Sequence, residues 1–289
     1  MHFDTDGIYT LQYTAEDSCG NTTVEEREVD VVALHTVLYT DGTFIINEKS
    51  SDRAANIALH GAVTNEYAPF NPNGATDEEK YIFTYNDARP WYTEAQSVTS
   101  VEIGSPIAPP RTSYWFSSFS NCTSIDLSNL DTSNVTNMNA MFNSCRALVS
   151  LDVSGFNTSN VASMDNMFYQ CHALPSLDVS SFDTSAVTNM HGMFYQCRVI
   201  PSLDLSSFNT ANVVNMNAMF SNCNALVTIY ATTDFVVTQV QDSLNMFSGN
   251  PMVLVGGSGT TWASANPKDK TYAHIDGGTG NPGYFTAKS

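Results

Sequence analysis

Basic residues are scarce in this chain, with 11 Lys and Arg set against 29 Asp and Glu over 289 residues. The resulting net charge of −18 argues against a nucleic-acid partner, whose phosphates need a basic surface. Long apolar runs are also missing: no stretch reaches the roughly 18 residues of a membrane span, so direct membrane insertion is not expected. The opening MHFDTDG has neither the basic nor the apolar region of a secretory signal. Two expectations stay open: a piece of a larger secreted or cell-surface protein, or a virion component. Catalytic motifs are lacking as well. None of His2, His35, His60, His172, His191 or His274 sits in a GxSxG, HExxH or Cys-His-Asn context, and no CxxC pair suggests zinc. The chain is therefore expected to be no enzyme, with no catalytic residues, no metal ligands and no cofactor.

What the chain does have is a repeat. Four uninterrupted 26-residue segments begin at Ile125, Leu151, Leu177 and Leu203 and run to Thr228. Such a period is the mark of units that cover one another's apolar faces. Within the first, Ile125-Asp126-Leu127 alternates as a short strand, and Met138, Met141, Phe142 and Cys145 fall at i, i+3, i+4 and i+7, one face of a short helix. The later repeats carry the same four positions. The fold expected is therefore an α/β solenoid of short strands and short helices with a cap at each end. The cysteines follow the period too: Cys145, Cys171, Cys197 and Cys223 hold one repeat position, Cys122 precedes them and Cys19 stands apart. Buried free thiols are the main expectation and adjacent disulfides the alternative.

Four regions follow from this organisation. Residues 1–33 alternate as two strands about a turn at Asp17, Gly20 and Asn21. Residues 34–124 form an N-terminal cap, with a hairpin of Thr36 to Tyr39 and Thr43 to Ile46 about Asp41-Gly42 and a strand from Ser97 to Ile103. Between these, residues 47–90 read as irregular, with a short helix possible from Asp52 to His60, and Tyr114 to Cys122 copies the helical part of the repeat. Residues 125–228 are the repeats. Residues 229–289 hold a divergent fifth unit and a C-terminal cap with Tyr272 to Ile275 and Tyr284-Phe285 as capping strands. The glycine-rich Gly256 to Thr260 lacks the Lys-Ser/Thr of a phosphate loop and reads as turns.

The phrase YTAEDSCGNTT resembles the end of a bacterial immunoglobulin-like domain. LDVSSFDTSAVTNMHGMFYQC, repeated at 26 residues and followed by LVGGSGTTW, TYAHIDGG and NPGYFT, resembles the BspA-like leucine-rich-repeat surface proteins of bacteria. The resemblance implies a right-handed leucine-rich-repeat coil at a cell surface or secreted, associated with adhesion to host proteins and other cells. The function expected is non-enzymatic recognition of a protein or glycan on a host or neighbouring cell. The alternative is a structural or receptor-binding part of a phage tail.

Candidate binding residues are those that packing does not consume. Asp126, Asp152, Asp178 and Asp204 share one strand position, so their carboxylates should stand in a column about 4.8 Å apart. Such a ladder binds a basic segment or a cation, or is a solvated face whose carboxylates accept bonds from nearby Ser, Thr or backbone N–H groups. Asp131, Asn157, Asp183 and Asn209 form a second column that fits corner-holding Asx turns. Tyr169, His172, Tyr195, Arg198, Arg146 and His191 are variable positions suited to partner contact, because Tyr and Arg are enriched where interfaces concentrate energy.

Overall fold

The computed structural model describes residues 7–16, 22–31, 34–49, 58–60, 62–67, 92–104, 106–249 and 253–288. Strands β1 (Gly7–Glu16) and β2 (Thr22–Val31) pair antiparallel as a two-stranded hairpin. The next hairpin, β3 (Leu34–Tyr39) and β4 (Thr43–Lys49), forms about Asp41-Gly42 as expected. Gly42 takes φ 88°, which only glycine adopts freely, and the Asp41 carboxylate accepts the Thr43 N–H at 2.8 Å. Residues expected to be irregular contribute β5 (Val63–Tyr67), antiparallel to β3, while β6 (Ser100–Ile103) and β7 (Ser124–Ile125) extend β4 in parallel. Of the possible helix at Asp52 to His60, only residues 58–60 are among those described, and they are helical. A second, all-parallel sheet joins β8 (Ser202–Asp204), β9 (Thr228–Ala231) and β10 (Phe285–Ala287). Phe285 thus opens a capping strand with Tyr284 just before it, whereas Tyr272 to Ile275, expected as a strand, is not one and Lys270–Tyr272 is a 3-10 turn.

The leucine-rich-repeat solenoid of strand-plus-helix units is overturned. Among the described residues there are two small sheets that neither curl nor close, a separate hairpin, and almost no helix. The helix expected over Met138 to Cys145 and its equivalents is replaced by consecutive turns. The reason lies in two left-handed residues per repeat: Ala140, Asn166, Gly192 and Ala218 have φ of 52–56°, and Ser144, Gln170, Gln196 and Asn222 have φ of 57–61°. A right-handed helix cannot pass through either position. Their N–H groups divide the bonding differently. Met141, Asn143 and Cys145 donate to the carbonyl three residues back, whereas Met138, Ala140, Phe142 and Ser144 donate to Ser163, Asp165, Met167 and Tyr169 of the following repeat. The same division recurs at Met164 to Cys171 and at Met190 to Cys197.

The continuous strand column also fails. Residues 151–153 and 177–179 belong to no strand, and only β7 and β8 mark that position within the repeats. Among the described residues β1 and β2 pair only with each other, as the hairpin expected over residues 1–33.

Three further features hold consecutive repeats edge to edge. Isolated parallel bridges join Asn137, Ser163, Asn189, Asn215 and Asp242 in succession. Buried Thr132, Thr184 and Thr210 each donate to a carbonyl of the next repeat and accept an N–H from it, as in Thr184 Oγ1 to the Asn209 carbonyl and the Asn209 N–H to Thr184 Oγ1, both at 2.9 Å. The third is the core, where Phe116, Phe142, Phe168, Phe194, Phe220 and Phe247 stack ring on ring at 5.5–5.9 Å.

The thiols of Cys122, Cys145, Cys171, Cys197 and Cys223 are free and buried. Each of the last four donates to a phenylalanine carbonyl of the preceding repeat, as Cys171 does to Phe142 at 3.3 Å. Burial pushes the Cys122 and Cys223 thiols up to about 12 and lifts Cys171 and Cys197 well above the ordinary value. Since the thiolate is the reactive form, these groups should be inert in the folded protein. Titration with a thiol reagent should find none of these five reacting quickly in the native state and all five after denaturation. Four or more fast native thiols would contradict the buried column.

Candidate functional site

The acidic column is built from Asx turns. Asp126, Asp152, Asp178 and Asp204 each accept, on Oδ1, the backbone N–H two residues on, from Ser128, Ser154, Ser180 and Ser206 at 2.9–3.1 Å. Such bonds favour the ionised form. The Ser154 hydroxyl and N–H hold Asp152 below the usual carboxylate range. Ser180 does the same for Asp178 against opposing repulsion from Asp204 and Asp152. Asp204 differs: burial would raise it, but the Lys288 ammonium at 2.7 Å and the Ser206 bonds bring it below normal. Lys288 also lies over the Tyr230 ring, so this end of the column is closed by the chain's own C-terminal segment.

At the other end, where residues 151–153 form no ladder, the surface opens into a trough of about 540 Å³. Val101, Ile125 and Leu151 line it together with Glu102, Asp126, Asp152 and Asp178. Beside it His60 Nδ1 lies 3.0 Å from Asp41 Oδ2, and Glu102 stands 4.0 Å from His60 Nε2. Among the described residues no group of three or more His, Cys, Asp or Glu side chains could hold a metal ion. The second column behaves likewise: Asp131, Asn157, Asp183 and Asn209 accept the N–H two residues on at 2.8–3.1 Å.

The variable residues gather elsewhere. Tyr169 and Tyr195 stack with ring centroids 4.4 Å apart and planes within 8° of parallel. Burial, with Tyr195 alongside, pushes the Tyr169 hydroxyl up, so it stays protonated at neutral pH. Arg146, His172 and Arg198 occupy one repeat position, immediately after the buried cysteines. Arg146 donates to Gln170 Oε1 at 2.8 Å and Arg198 to Gln196 Oε1 at 2.9 Å, while His172 Nε2 lies 3.1 Å from the same Gln196 oxygen. That oxygen can only accept, so the geometry assigns the proton to Nε2. His172 is held below its ordinary value by burial first, then by Arg198 and Arg146, against the Gln196 bond that raises it.

The proposed residues therefore separate into an acidic column (Asp126, Asp152, Asp178, Asp204) and a basic and aromatic cluster (Tyr169, His172, Tyr195, Arg198). Arg146, offered with them as a variable position, joins this cluster through the repeat register that places it, His172 and Arg198 each directly after a cysteine. The roles of Gln170 and Gln196 carried none, because a glutamine's bonding partner depends on rotamers.

The family model described as "Mycoplasma protein of unknown function, DUF285" matches residues 112–229 and, in an overlapping second match, 149–255. Together the two matches cover just under half of the chain, and they replace the BspA-like leucine-rich-repeat resemblance, which nothing in the comparisons supports. No curated protein and no solved structure matches. Among the described residues no helix is long and apolar enough to cross a membrane.

Proposed function

We propose that this chain is a non-enzymatic recognition module that binds a protein or a glycan on a host or neighbouring cell, acting from a secreted or surface-exposed position. The observation that carries the reading is the stacked Tyr169–Tyr195 pair flanked by Arg146, His172 and Arg198. Tyrosine and arginine concentrate binding energy at interfaces, and side chains already pinned lose little entropy on contact. Arg146 and Arg198 are exposed, and the tyrosines and His172 are half-buried. The inward positions are taken up by packing, and the Asp and Asn columns by turn formation. The test is a binding screen of the whole chain against matrix proteins, surface glycans and intact cells at micromolar concentration. Saturable binding to one of them is the expected result, and a blank screen would overturn the reading.

A further inference from the structure

We propose that Arg146, His172 and Arg198, together with the Tyr169–Tyr195 stack, form a binding site for a sugar chain bearing carboxylate or sulfate groups; this rests on the recognition reading above and names its ligand class. The first support is the absence of competition. Among the described residues neither Arg146 nor Arg198 forms an ion pair, and both are held by neutral glutamine oxygens through a single guanidinium nitrogen. A guanidinium carries five N–H donors in a planar fork, so each retains donors for an incoming anion. The acids of the same repeats are committed elsewhere: Asp152, Asp178 and Asp204 to the strand column, Asp131 and Asp183 to the corner turns, and Asp165 to the Ser163 hydroxyl. The cluster is thus locally cationic within a chain of charge −18.

The second support is spacing. Arg146 and Arg198 are two repeats apart, about 10 Å if each step is a strand spacing of about 4.8 Å. With them stand two neutral amides, Gln170 and Gln196, an imidazole and two tyrosines. That arrangement suits acid groups carried on alternate rings of a sugar chain, with the intervening hydroxyls meeting the glutamine amides and phenol groups.

The experiment measures retention of the whole chain on immobilised heparin, hyaluronan and neutral dextran, with polyglutamate as a competitor. Expected is retention on heparin, hyaluronan or both, none on dextran, and release by added salt. Heparin alone would identify sulfate as the recognised group, and hyaluronan would show that carboxylate suffices. The double substitution Arg146→Gln, Arg198→Gln should weaken that binding at least tenfold, and Tyr169→Ala should weaken it by a smaller factor, with the melting temperature of the arginine variant unchanged. No retention on either acidic glycan, equal retention of the double variant, or preferential displacement by polyglutamate would overturn the proposal, the last in favour of an acidic peptide. If the wild-type chain binds cells in the earlier screen and the double variant binds them equally, the recognition reading stands and this site falls.

Discussion

Replacing Asp276 by alanine is expected to unseat the C-terminal cap, at a cost of about 3–5 kcal/mol for orphaning several buried donors at once. Asp276 is only 5% exposed, and five groups converge on its carboxylate. Oδ2 accepts the N–H groups of Ser258 and Thr260, both at 2.9 Å. Oδ1 accepts the Thr260 hydroxyl at 2.7 Å and the N–H groups of Gly278 at 2.9 Å and Gly283 at 3.4 Å. The glycines make this approach possible: a Cβ on Gly256 would stand 2.2 Å from the Gly283 carbonyl and 2.7 Å from the carboxylate itself. The glycine-rich stretch is thus a wrap around the chain's own anion.

Asparagine does not rescue the site, because whichever oxygen becomes an amide nitrogen then points donors at donors. For a protein of this size the loss corresponds to a fall of roughly 6–20 °C in Tm. Burial would raise the Asp276 pKa, but the bonds from Thr260, Gly278 and Gly283 outweigh it and hold the group well below the usual carboxylate range. A depressed folded-state pKa adds stability that is fully present above the unfolded value near 4, declines below it, and is gone once pH falls through the folded value. The Tm difference between the wild type and Asp276→Asn should therefore be largest near neutrality and narrow as pH drops below about 4. A difference constant with pH would show that the carboxylate charge is not what holds the cap.

How much of this was legible follows from what each pattern reports. Met138, Met141, Phe142 and Cys145 are all buried, as their spacing requires. Yet i, i+3, i+4, i+7 records only which side chains point inward. It is silent on which carbonyl each N–H takes, and here that choice is made by the repeat 26 residues further on. The left-handed Ala140 and Gln170 give no local warning, since neither residue type favours positive φ. A resemblance in the wording of the repeats carried the leucine-rich-repeat expectation, and the backbone does not follow it. The Asx turns at Asp131, Asn157, Asp183 and Asn209 were readable because their bonds are local, two residues along the chain. Asp276 was not: its donors come from positions 258, 260, 278 and 283, which only the folded loops bring together. Lys288 on Asp204 is likewise a contact across the cap, invisible from composition.

The second large effect is expected at Phe168, where substitution by alanine should cost about 3–5 kcal/mol, the range for deleting a fully buried ring. Phe168 has no exposed surface and stacks between Phe142 at 5.7 Å and Phe194 at 5.9 Å, with its plane within 9° of both. Its removal takes away both ring contacts and leaves a void between two repeats whose backbones are tied at Phe142 N–H to the Met167 carbonyl and Phe168 N–H to the Met193 carbonyl. Those bonds restrain collapse of the neighbours, so the cavity should persist. The adjacent Tyr169 is an internal control. It lies one residue on, half-buried and outside the ring column, and its alanine variant should lose far less stability while losing ligand. Thermal melts of the two variants should therefore separate by several degrees, with Phe168→Ala the lower, and Phe168→Leu falling between it and the wild type. Equal melting temperatures for Phe168→Ala and Tyr169→Ala would mean that the phenylalanine column does not hold the repeats together, and that the threonine and backbone bonds between them do so alone.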